Sequence, residues 1–340
     1  MRNPLGHFLF RELSRFYVYV RRTPKFHALA VVVLFLLQYF APPESQLGEW
    51  SRNALFIFVV LGIVFSYLHV FDLLKNRAEK NDPSPKRQST MSGTELERNA
   101  RHIVLREIGG PGQKRLKEAR VLVIGAGGLG APALQYLAAA GIGTIGVIDD
   151  DVVENSNLQR QVIHTDDRIG MPKVFSAQAA MTAQNPFVTV RPYHRRLTAD
   201  IAAELFADYD VILDGTDDVA TRYLVNQTAV DARLPLVSAA LSQWEGQISV
   251  FDPANGAPCY ACVFPKAAAD GLAPSCAEGG VLGPLPGVLG AMMAVEAIKL
   301  IAGTGDVLRG RIMIYDALYA DTRVIGAKRR TDCAACGKRD

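Results

Sequence analysis

The sequence has few cysteines and little net charge. Its 340 residues include five cysteines, an odd number, and carry a formal net charge of +3. So few cysteines argue against a disulfide-stabilised secreted scaffold and favour a reducing compartment. The basic residues are spread among acidic ones and form no aromatic-laced stripe, so nothing indicates nucleic acid as a partner. With 49% hydrophobic residues the chain can bury a large core, as one big domain or two smaller ones.

Two apolar runs near the N-terminus predict a transmembrane helical hairpin. They span about residues 26–41 and 54–74. The second run approaches the roughly 20 residues that cross a bilayer, and the first, being shorter, requires snorkelling flanks or local thinning. A cleaved signal peptide is one alternative, but Pro42, Pro43 and Glu44 follow the first run in place of a small-residue cleavage pattern. A buried core hairpin is another, and it is disfavoured because neither run has an amphipathic period.

The charges around the hairpin predict its orientation. Six basic residues precede the first run and five follow the second, whereas the loop at 42–53 carries only Arg52. By the positive-inside rule both termini lie in the cytoplasm. We therefore expect a multi-pass protein of the cytoplasmic membrane, with residues 1–74 as the anchor and the C-terminal domain in the cytoplasm.

A polar segment separates the anchor from the rest of the chain. Residues 75–94 include Pro83 and Pro85 and have no apolar period, which is typical of a flexible linker. The folded domain is expected at 95–340.

A glycine-rich loop follows the first predicted strand of this domain. The β-branched run at 120–124 leads into the sequence GAGGLG and then an alanine-rich helical stretch. The glycines of the loop are Gly125, Gly127, Gly128 and Gly130. They allow a tight turn and close approach of phosphate at a helix N-terminus, and Asp149 after the next strand can accept from ribose hydroxyls. This pattern predicts an α/β fold with a Rossmann-like doubly wound sheet, and taken alone it fits ATP, NAD and FAD equally.

Cations downstream of the loop favour a triphosphate. Asn157 and Arg160 lie just past Asp149, and Lys173 opens the next helix. A triphosphate that releases pyrophosphate needs positive side chains on its β and γ groups, whereas a dinucleotide relies on backbone and helix dipole. Each cation alone is more often a surface residue, so the prediction depends on their joint placement.

Acidic residues follow the fourth predicted strand, at 210–213. Asp217 and Asp218 lie at the carboxyl edge where open α/β sheets bind ligands, and an acid there can hold Mg²⁺ against the phosphates. The alternative is helix capping, for which Thr216 or Asp217 is the expected residue.

Four of the five cysteines form two CxxC pairs. Cys259 with Cys262 and Cys333 with Cys336 supply four thiolates, which suits a structural zinc that ties the C-terminal tail to the sheet. A redox dithiol is the alternative, although neither pair follows a thioredoxin-like start. Cys276 is left over, in the glycine- and proline-rich stretch 271–287.

The motifs after the linker resemble the ThiF/MoeB/HesA family, the bacterial relatives of ubiquitin-activating enzymes. The similarity runs from about residue 98 to the C-terminus and is strongest to the molybdopterin-synthase adenylyltransferases. It is carried by Arg98-x-x-Arg101-His-Ile, GAGGLG, Asp149-Asp-Asp151, Ser156-Asn-Leu-Gln-Arg160, Pro172-Lys173, Asp214-Gly-Thr-Asp217, Cys259-Tyr-Ala-Cys262, Cys276-Ala-Glu-Gly-Gly-Val-Leu-Gly-Pro284, Val295-Glu-Ala-Ile-Lys299 and Cys333-Ala-Ala-Cys336.

The resemblance implies a role for each matching residue. It places Gly128 at the phosphates, Asp149 at the ribose, Asn157, Arg160 and Lys173 at the triphosphate, and Asp217 at Mg²⁺. Arg101 would enter the active site of a neighbouring subunit, which implies a homodimer. The resemblance also strengthens the zinc prediction for the two cysteine pairs.

Two residues keep alternative roles at this point, and one further apolar run requires an interpretation. Cys276 matches a loop cysteine that in relatives takes part in thioester, acyl-disulfide or persulfide chemistry, and an inert thiol is the alternative. Asp218 departs from the asparagine usual in the family, so it either weakens nucleotide binding or adds a metal ligand. The apolar run at 281–301 contains Pro284, Pro286, Glu296 and Lys299, which indicate a crossover into a buried helix instead of a third membrane span.

The expected activity is ATP-dependent adenylation of the C-terminal glycine carboxylate of a ubiquitin-fold sulfur-carrier protein, ending in Gly-Gly, with release of pyrophosphate. The expected cofactors are ATP, Mg²⁺ and Zn²⁺. Within the family, a peptide, a tRNA base carboxylate or a ubiquitin-like conjugation protein is the alternative acyl partner. An NAD-dependent oxidoreductase and a membrane-tethered nucleotide sensor are alternatives from other classes.

Overall fold

The computed structural model describes residues 91–266 and 279–337. The predicted membrane spans, the linker up to residue 90 and Cys276 lie outside the described residues.

One mixed sheet of eight strands organises this part of the chain. Its strands are β1 (Arg120–Ile124), β2 (Thr144–Ile148), β3 (Thr189–Tyr193), β4 (Val211–Asp214), β5 (Leu236–Leu241), β6 (Glu245–Phe251), β7 (Arg311–Asp316) and β8 (Asp321–Gly326). The spatial order is β3-β2-β1-β4-β5-β6-β7-β8. Strands β1 to β5 pair in parallel, and β6, β7 and β8 add in antiparallel fashion. The predicted Rossmann-like sheet is confirmed, and its strand order reverses between β1 and β4, where such sheets bind ligands.

Helices cover both faces of the parallel half. They are α1 (Gly93–Arg98), α2 (Ala100–Ile103), α3 (Gly109–Glu118), α4 (Gly130–Ala139), α5 (Lys173–Gln184), α6 (Ala199–Phe206), α7 (Val219–Ala232), α8 (Tyr260–Val263) and α9 (Pro284–Ala302).

The alternating side chains of β1 enter two different cores. Val121 and Val123 pack in the cluster that contains residues of α4, α5 and α9. Leu122 and Ile124 pack in the opposite cluster, with residues of α6 and α7. A parallel strand buried on both faces needs apolar residues at every position, which explains why β1 is a continuous hydrophobic run.

Helix α9 is part of the core of this fold. In the described part of the chain it is the one helix long and apolar enough to cross a membrane by length and composition. Leu289 and Met293 are nonetheless fully buried in the protein core. Glu296 is buried too, and its Oε2 accepts a hydrogen bond of 2.8 Å from the Leu308 N–H. The helix therefore matches the buried crossover helix that the sequence predicts.

Helix α9 approaches α4 closely at one glycine. A Cβ built on Gly290 would overlap the carbonyl oxygen of Leu129 and the ring of Pro132. Because Leu129 directly precedes α4, Gly290 brings α9 against the glycine-rich loop.

Candidate active site at the carboxyl ends of β1 and β4

The glycine-rich loop makes a sharp turn out of β1. Gly125 has a φ of +91°, and its N–H donates to the carbonyl of Ile148 at 2.9 Å. A Cβ on Gly130 would overlap the Gly125 carbonyl oxygen, so only glycine fits there. No side chain caps α4. The loop thus presents the positive end of a helix dipole at the ligand-binding edge of the sheet.

Asp149 lies beneath this loop. Its Oδ2 accepts from the Ala126 N–H at 2.7 Å and its Oδ1 from the Asp151 N–H at 2.8 Å. Burial raises the pKa of Asp149, while the hydrogen bond from Ala126 and the nearby positive charge of Lys173 oppose that rise. Asp149 is therefore held at the end of β2, next to the position expected for a ribose.

Lys173 is buried and paired with Asp151. The Lys173 Nζ lies 2.7 Å from Asp151 Oδ2, and the Lys173 N–H donates to the Asp151 carbonyl at 2.9 Å. The lysine side chain is 6% exposed and the aspartate side chain 66% exposed. The ammonium is thus removed from bulk water except on the side of an accessible carboxylate. The sequence motif contained Asp151 but gave no signal that it would pair with Lys173.

Arg160 and Asn157 lie in the segment that faces the loop. Arg160 Nη1 donates to the Ser156 carbonyl at 3.0 Å, and its Cδ lies 3.9 Å from the point where a Cβ on Gly128 would stand. Asn157 is buried and accepts from Gln161 Nε2 at 2.8 Å. The structure therefore brings Arg160 and the loop glycines together.

The start of α9 closes over the same loop. A Cβ on Gly128 would lie 3.1 Å from Pro286 Cβ, and one on Gly283 would meet both the carbonyl and the side chain of Gln159. The chain that returns from the segment 267–278 thus lies directly against the glycine-rich loop.

The end of β4 is built around Asp214. This buried carboxylate accepts from the Thr216 N–H at 3.1 Å, from Thr216 Oγ1 at 2.7 Å and from Ser238 Oγ at 2.9 Å. Arg222 Nη1 lies 3.3 Å from its Oδ2. Arg222 was not predicted as a site residue; in the sequence its one signal is its position one turn inside the helix after Asp214.

The two acids beyond Asp214 have different surroundings. Asp217 is exposed. Asp218 is the N-cap of α7, and its Oδ2 accepts from the N–H and the Oγ1 of Thr221 at 2.9 and 2.5 Å. Arg196 lies 3.6 Å from the same oxygen. The helix begins at Val219, near where the sequence predicts it, but the alternative that Thr216 or Asp217 caps it is wrong, because the residue directly before Val219 is Asp218.

Hydrogen bonds from Thr221 lower the pKa of Asp218, and Arg196 acts in the same direction. The carboxylate is thus ionised at neutral pH, with one oxygen engaged by the helix.

Arg101 lies on α2 and is exposed. A role in the site of a neighbouring subunit stays a prediction, as does the homodimer.

The two cysteine pairs meet in space. The Sγ atoms of Cys259 and Cys262 are 3.8 Å apart, those of Cys259 and Cys333 3.6 Å, and those of Cys262 and Cys336 3.4 Å. All four side chains are buried. The four sulfurs lie within 4.8 Å of one another.

This cluster fits a tetrahedral zinc. Zinc–sulfur bonds of about 2.3 Å give sulfur–sulfur edges of about 3.8 Å in a tetrahedron. Burial raises the pKa of the thiols of Cys259 and Cys262. A bound dication is what would keep such buried thiols deprotonated.

Comparison of the sequence with known proteins places this chain in a family. The model of the ThiF family matches residues 99–335. The chain is 47% identical over 247 residues to the sulfur carrier protein adenylyltransferase of Thermus thermophilus, covering 72% of this chain and 91% of that protein. It is 46% identical over 249 residues to the SAMP-activating enzyme E1 of Haloferax volcanii, covering 73% and 92%.

Solved structures agree on the fold. The Escherichia coli MccB structure with ATP matches at a TM-score of 0.59 and 22% identity, covering 67% of this chain and 68% of that one. PaaA matches at a TM-score of 0.62 and 24% identity, covering 86% and 92%. At these identities the likeness is one of fold.

Proposed function

The chain belongs to the ThiF family, and we propose from this membership that it uses ATP to adenylate the C-terminal glycine carboxylate of a ubiquitin-fold sulfur-carrier protein. The observation that carries the proposal is the 47% identity to a sulfur carrier protein adenylyltransferase across 91% of that relative's length. The described site supports it, because a glycine-rich loop, Arg160 and buried Lys173 converge at the switch point of the sheet.

The reaction needs charge stabilisation more than proton transfer. A carrier carboxylate oxygen attacks the α-phosphorus of ATP, the bond from that phosphorus to the bridging oxygen breaks, and pyrophosphate leaves. The carboxylate is already ionised, so no general base is required. In this proposal Arg160, Lys173 and an Arg101 contributed by a second subunit would neutralise the phosphates. Asp217 would hold Mg²⁺, which would supply further positive charge there.

The nucleotide contacts follow from the placement of the described residues. The loop from Gly125 to Gly130 would receive the phosphates, Asp149 the ribose, and Asn157 the triphosphate. Asp218 would border the metal side of this site while its Oδ2 remains engaged in capping α7. Lys173 would then exchange Asp151 for phosphate oxygens when ATP binds.

The four-cysteine cluster would hold a structural zinc. It joins α8 to the residues after β8, so zinc would stabilise the fold without taking part in adenylation. We retain Cys276 as a candidate nucleophile or sulfur acceptor. Support comes from the residues that follow it in sequence, since Gly283 lies against Gln159 and Pro286 lies against Gly128 of the glycine-rich loop.

We further propose that residues 1–74 anchor the enzyme in the cytoplasmic membrane, with both termini and the adenylating domain in the cytoplasm. The support is the pair of apolar runs and the flanking basic residues. A C-terminal fluorescent protein should fluoresce, and alkaline phosphatase inserted within the loop 42–53 should be active. Release of the protein by carbonate extraction would contradict the anchor.

Exchange of labelled pyrophosphate into ATP tests the activity. The full-length protein is purified in detergent and mixed with Mg²⁺, ATP and carriers ending in Gly-Gly. Carriers from sulfur transfer and from ubiquitin-like conjugation are compared. We expect exchange with a carrier that has a free terminal carboxylate and none with the same carrier carrying a C-terminal amide.

Two results would contradict the proposal. One is exchange that proceeds equally well with the amidated carrier. The other is a lack of exchange with every carrier, combined with tight binding of NAD, which would support an oxidoreductase.

A further inference from the structure

His164 is a buried polar residue that lies outside the motifs described above. It lies between the short helical turns Asn155–Asn157 and Asp166–Arg168, in the segment that follows Arg160. Its side chain has hydrogen-bonding contacts at both ring nitrogens. Nε2 is 3.0 Å from the Ala126 carbonyl oxygen, and Nδ1 is 2.9 Å from Ser176 Oγ.

These two contacts fix the tautomer of the ring. A backbone carbonyl only accepts, so Nε2 carries the proton and donates to Ala126. Nδ1 of the neutral ring then accepts from the Ser176 hydroxyl. Burial lowers the pKa of His164, and the positive charges of Lys173 and Arg168 lower it further. The hydrogen bond to Ala126 opposes this change but does not outweigh it. The ring is therefore neutral at physiological pH.

The two partners of His164 belong to different parts of the nucleotide site. Ala126 lies within the glycine-rich loop, and its N–H is already held by Asp149 Oδ2 at 2.7 Å. Ser176 is fully buried in the first turn of α5, three residues after Lys173. One imidazole thus connects the loop to the helix that carries the buried ammonium.

We propose that His164 is a positioning residue for ATP, which fixes the separation between the N–H groups of the glycine-rich loop and the ammonium of Lys173. The inference rests on the proposed function only in that both groups bind the same triphosphate. A misplacement of about 1 Å between two binding groups is enough to lower activity by about 100-fold. Correct spacing matters for phosphates but not for the adenine or ribose.

This difference defines the measurement. ATP and adenosine binding to full-length protein in detergent are compared by titration calorimetry. A general loss of structure weakens both ligands, whereas a changed loop-to-lysine distance weakens ATP alone.

The variants separate hydrogen bonding from packing. His164→Phe keeps a ring and removes both hydrogen bonds, His164→Gln keeps one donor and one acceptor, and Ser176→Ala removes one partner. Tyr209→Phe is the matched control, since it deletes a buried hydroxyl that lies 2.9 Å from Tyr193 OH in the other core cluster.

We expect His164→Phe to weaken ATP binding by about tenfold or more, because two buried polar groups lose their partner. Adenosine binding should change less than about twofold, and His164→Gln should recover most of the ATP affinity. Ser176→Ala should give a smaller, ATP-selective loss and serves as the test should His164→Phe not fold. Tyr209→Phe should leave both affinities unchanged.

Equal losses of ATP and adenosine affinity would overturn the proposal, as would unchanged ATP affinity in His164→Phe or a glutamine variant no better than phenylalanine. These outcomes are distinct from failure of the proposed function. Wild-type protein that binds ATP with the expected variant pattern but exchanges no pyrophosphate would refute adenylation and leave the role of His164 standing. Normal exchange with unchanged ATP affinity in His164→Phe would refute the role of His164 alone.

Discussion

Arg222 and Asp214 form a buried ion pair at the end of β4, with Arg222 Nη1 3.3 Å from Asp214 Oδ2. The guanidinium also donates to Ser238 Oγ at 3.2 Å, to the Ala239 carbonyl at 2.9 Å and to the Thr216 carbonyl. One arginine therefore connects β4, β5 and the loop that leads to Asp217. The loop proposed to present Asp217 to Mg²⁺ is fixed from inside the fold.

Replacing Arg222 by lysine should affect both stability and nucleotide binding. A lysine ammonium cannot reproduce the fork of donors, so part of the network would stay unpaired. We expect a loss of about 3 kcal/mol in the free energy of unfolding in urea. The KM for MgATP should rise several-fold because the Asp217 loop loses its clamp.

Arg309→Lys is the matched control for this prediction. Arg309 Nε binds the fully buried Asp252 at 2.8 Å. Asp252 follows the end of β6 that pairs with the amino end of β5, so it lies at the edge of the sheet opposite the glycine-rich loop. The Arg309→Lys variant should destabilise the protein while leaving the KM for MgATP unchanged. If Arg222→Lys raises that KM no more than Arg309→Lys does, the clamp has no effect on nucleotide binding.

Removal of metal should unfold the domain or a large part of it. Binding of zinc to four thiolates is worth on the order of 10 kcal/mol, comparable to the total stability of a typical domain. We expect about one zinc per chain by elemental analysis. Cys336→Ser should lose the metal and the cooperative thermal transition, whereas Cys276→Ser should keep both. A metal-free protein that melts at the same temperature as the untreated one would show that the cysteine cluster is not a zinc site.

The capping role of Asp218 predicts that asparagine can replace it. Asparagine and aspartate cap helices about equally well, whereas alanine costs about 1 kcal/mol. Asp218→Asn should therefore keep most of the stability and Asp218→Ala should lose about that amount. Asp218→Asn should also lower the KM for MgATP slightly, because a negative charge near the triphosphate is removed. Asp217→Asn should raise that KM strongly. A larger rise in the KM for Asp218→Asn than for Asp217→Asn would show that Asp218, and not Asp217, holds the metal.

The hydrogen bond from the Thr221 N–H to the Asp218 carboxylate predicts a dependence of stability on pH. The folded-state pKa of Asp218 is below its ordinary value. Its contribution is therefore present above about pH 4, the ordinary pKa of aspartate, and is lost as the pH falls through the lower folded value. The effect should be small because the side chain is 42% exposed. Urea titrations from pH 6 to pH 2 should show the wild type losing its advantage over Asp218→Ala, and a constant difference would contradict this assignment.

The elements of the fold were predictable where local pattern decides them. The β-branched run before Gly125 became β1, and the helix predicted to open at Lys173 does so. The meeting of the four cysteines was also predictable, because residues that bind one metal ion must lie close together whatever their distance along the chain. Neither Arg222 nor the Asp151 to Lys173 pair was predictable, since each depends on which side chains the packed sheet and helices bring together.

The N-cap of α7 was missed for a more local reason. Several consecutive polar residues follow β4, and each of them is a chemically reasonable cap. The choice of Asp218 depends on where β4 releases the chain, and the buried network of Asp214 and Thr216 fixes that point.

The ion pair of Lys173 with Asp151 makes a prediction about competition. The carboxylate is 66% exposed and neutralises the ammonium before ATP arrives. In Asp151→Asn the Lys173 N–H still binds the backbone carbonyl of residue 151, so the lysine keeps its place without an opposing charge. We expect ATP to bind a few-fold more tightly and with a steeper dependence on salt. Lys173→Ala should instead slow pyrophosphate exchange by about 100-fold or more, because a charge that stabilises the transition state is lost. If Asp151→Asn loses as much exchange as Lys173→Ala, Asp151 must itself contact the nucleotide, and the ion pair is not a resting state that ATP displaces.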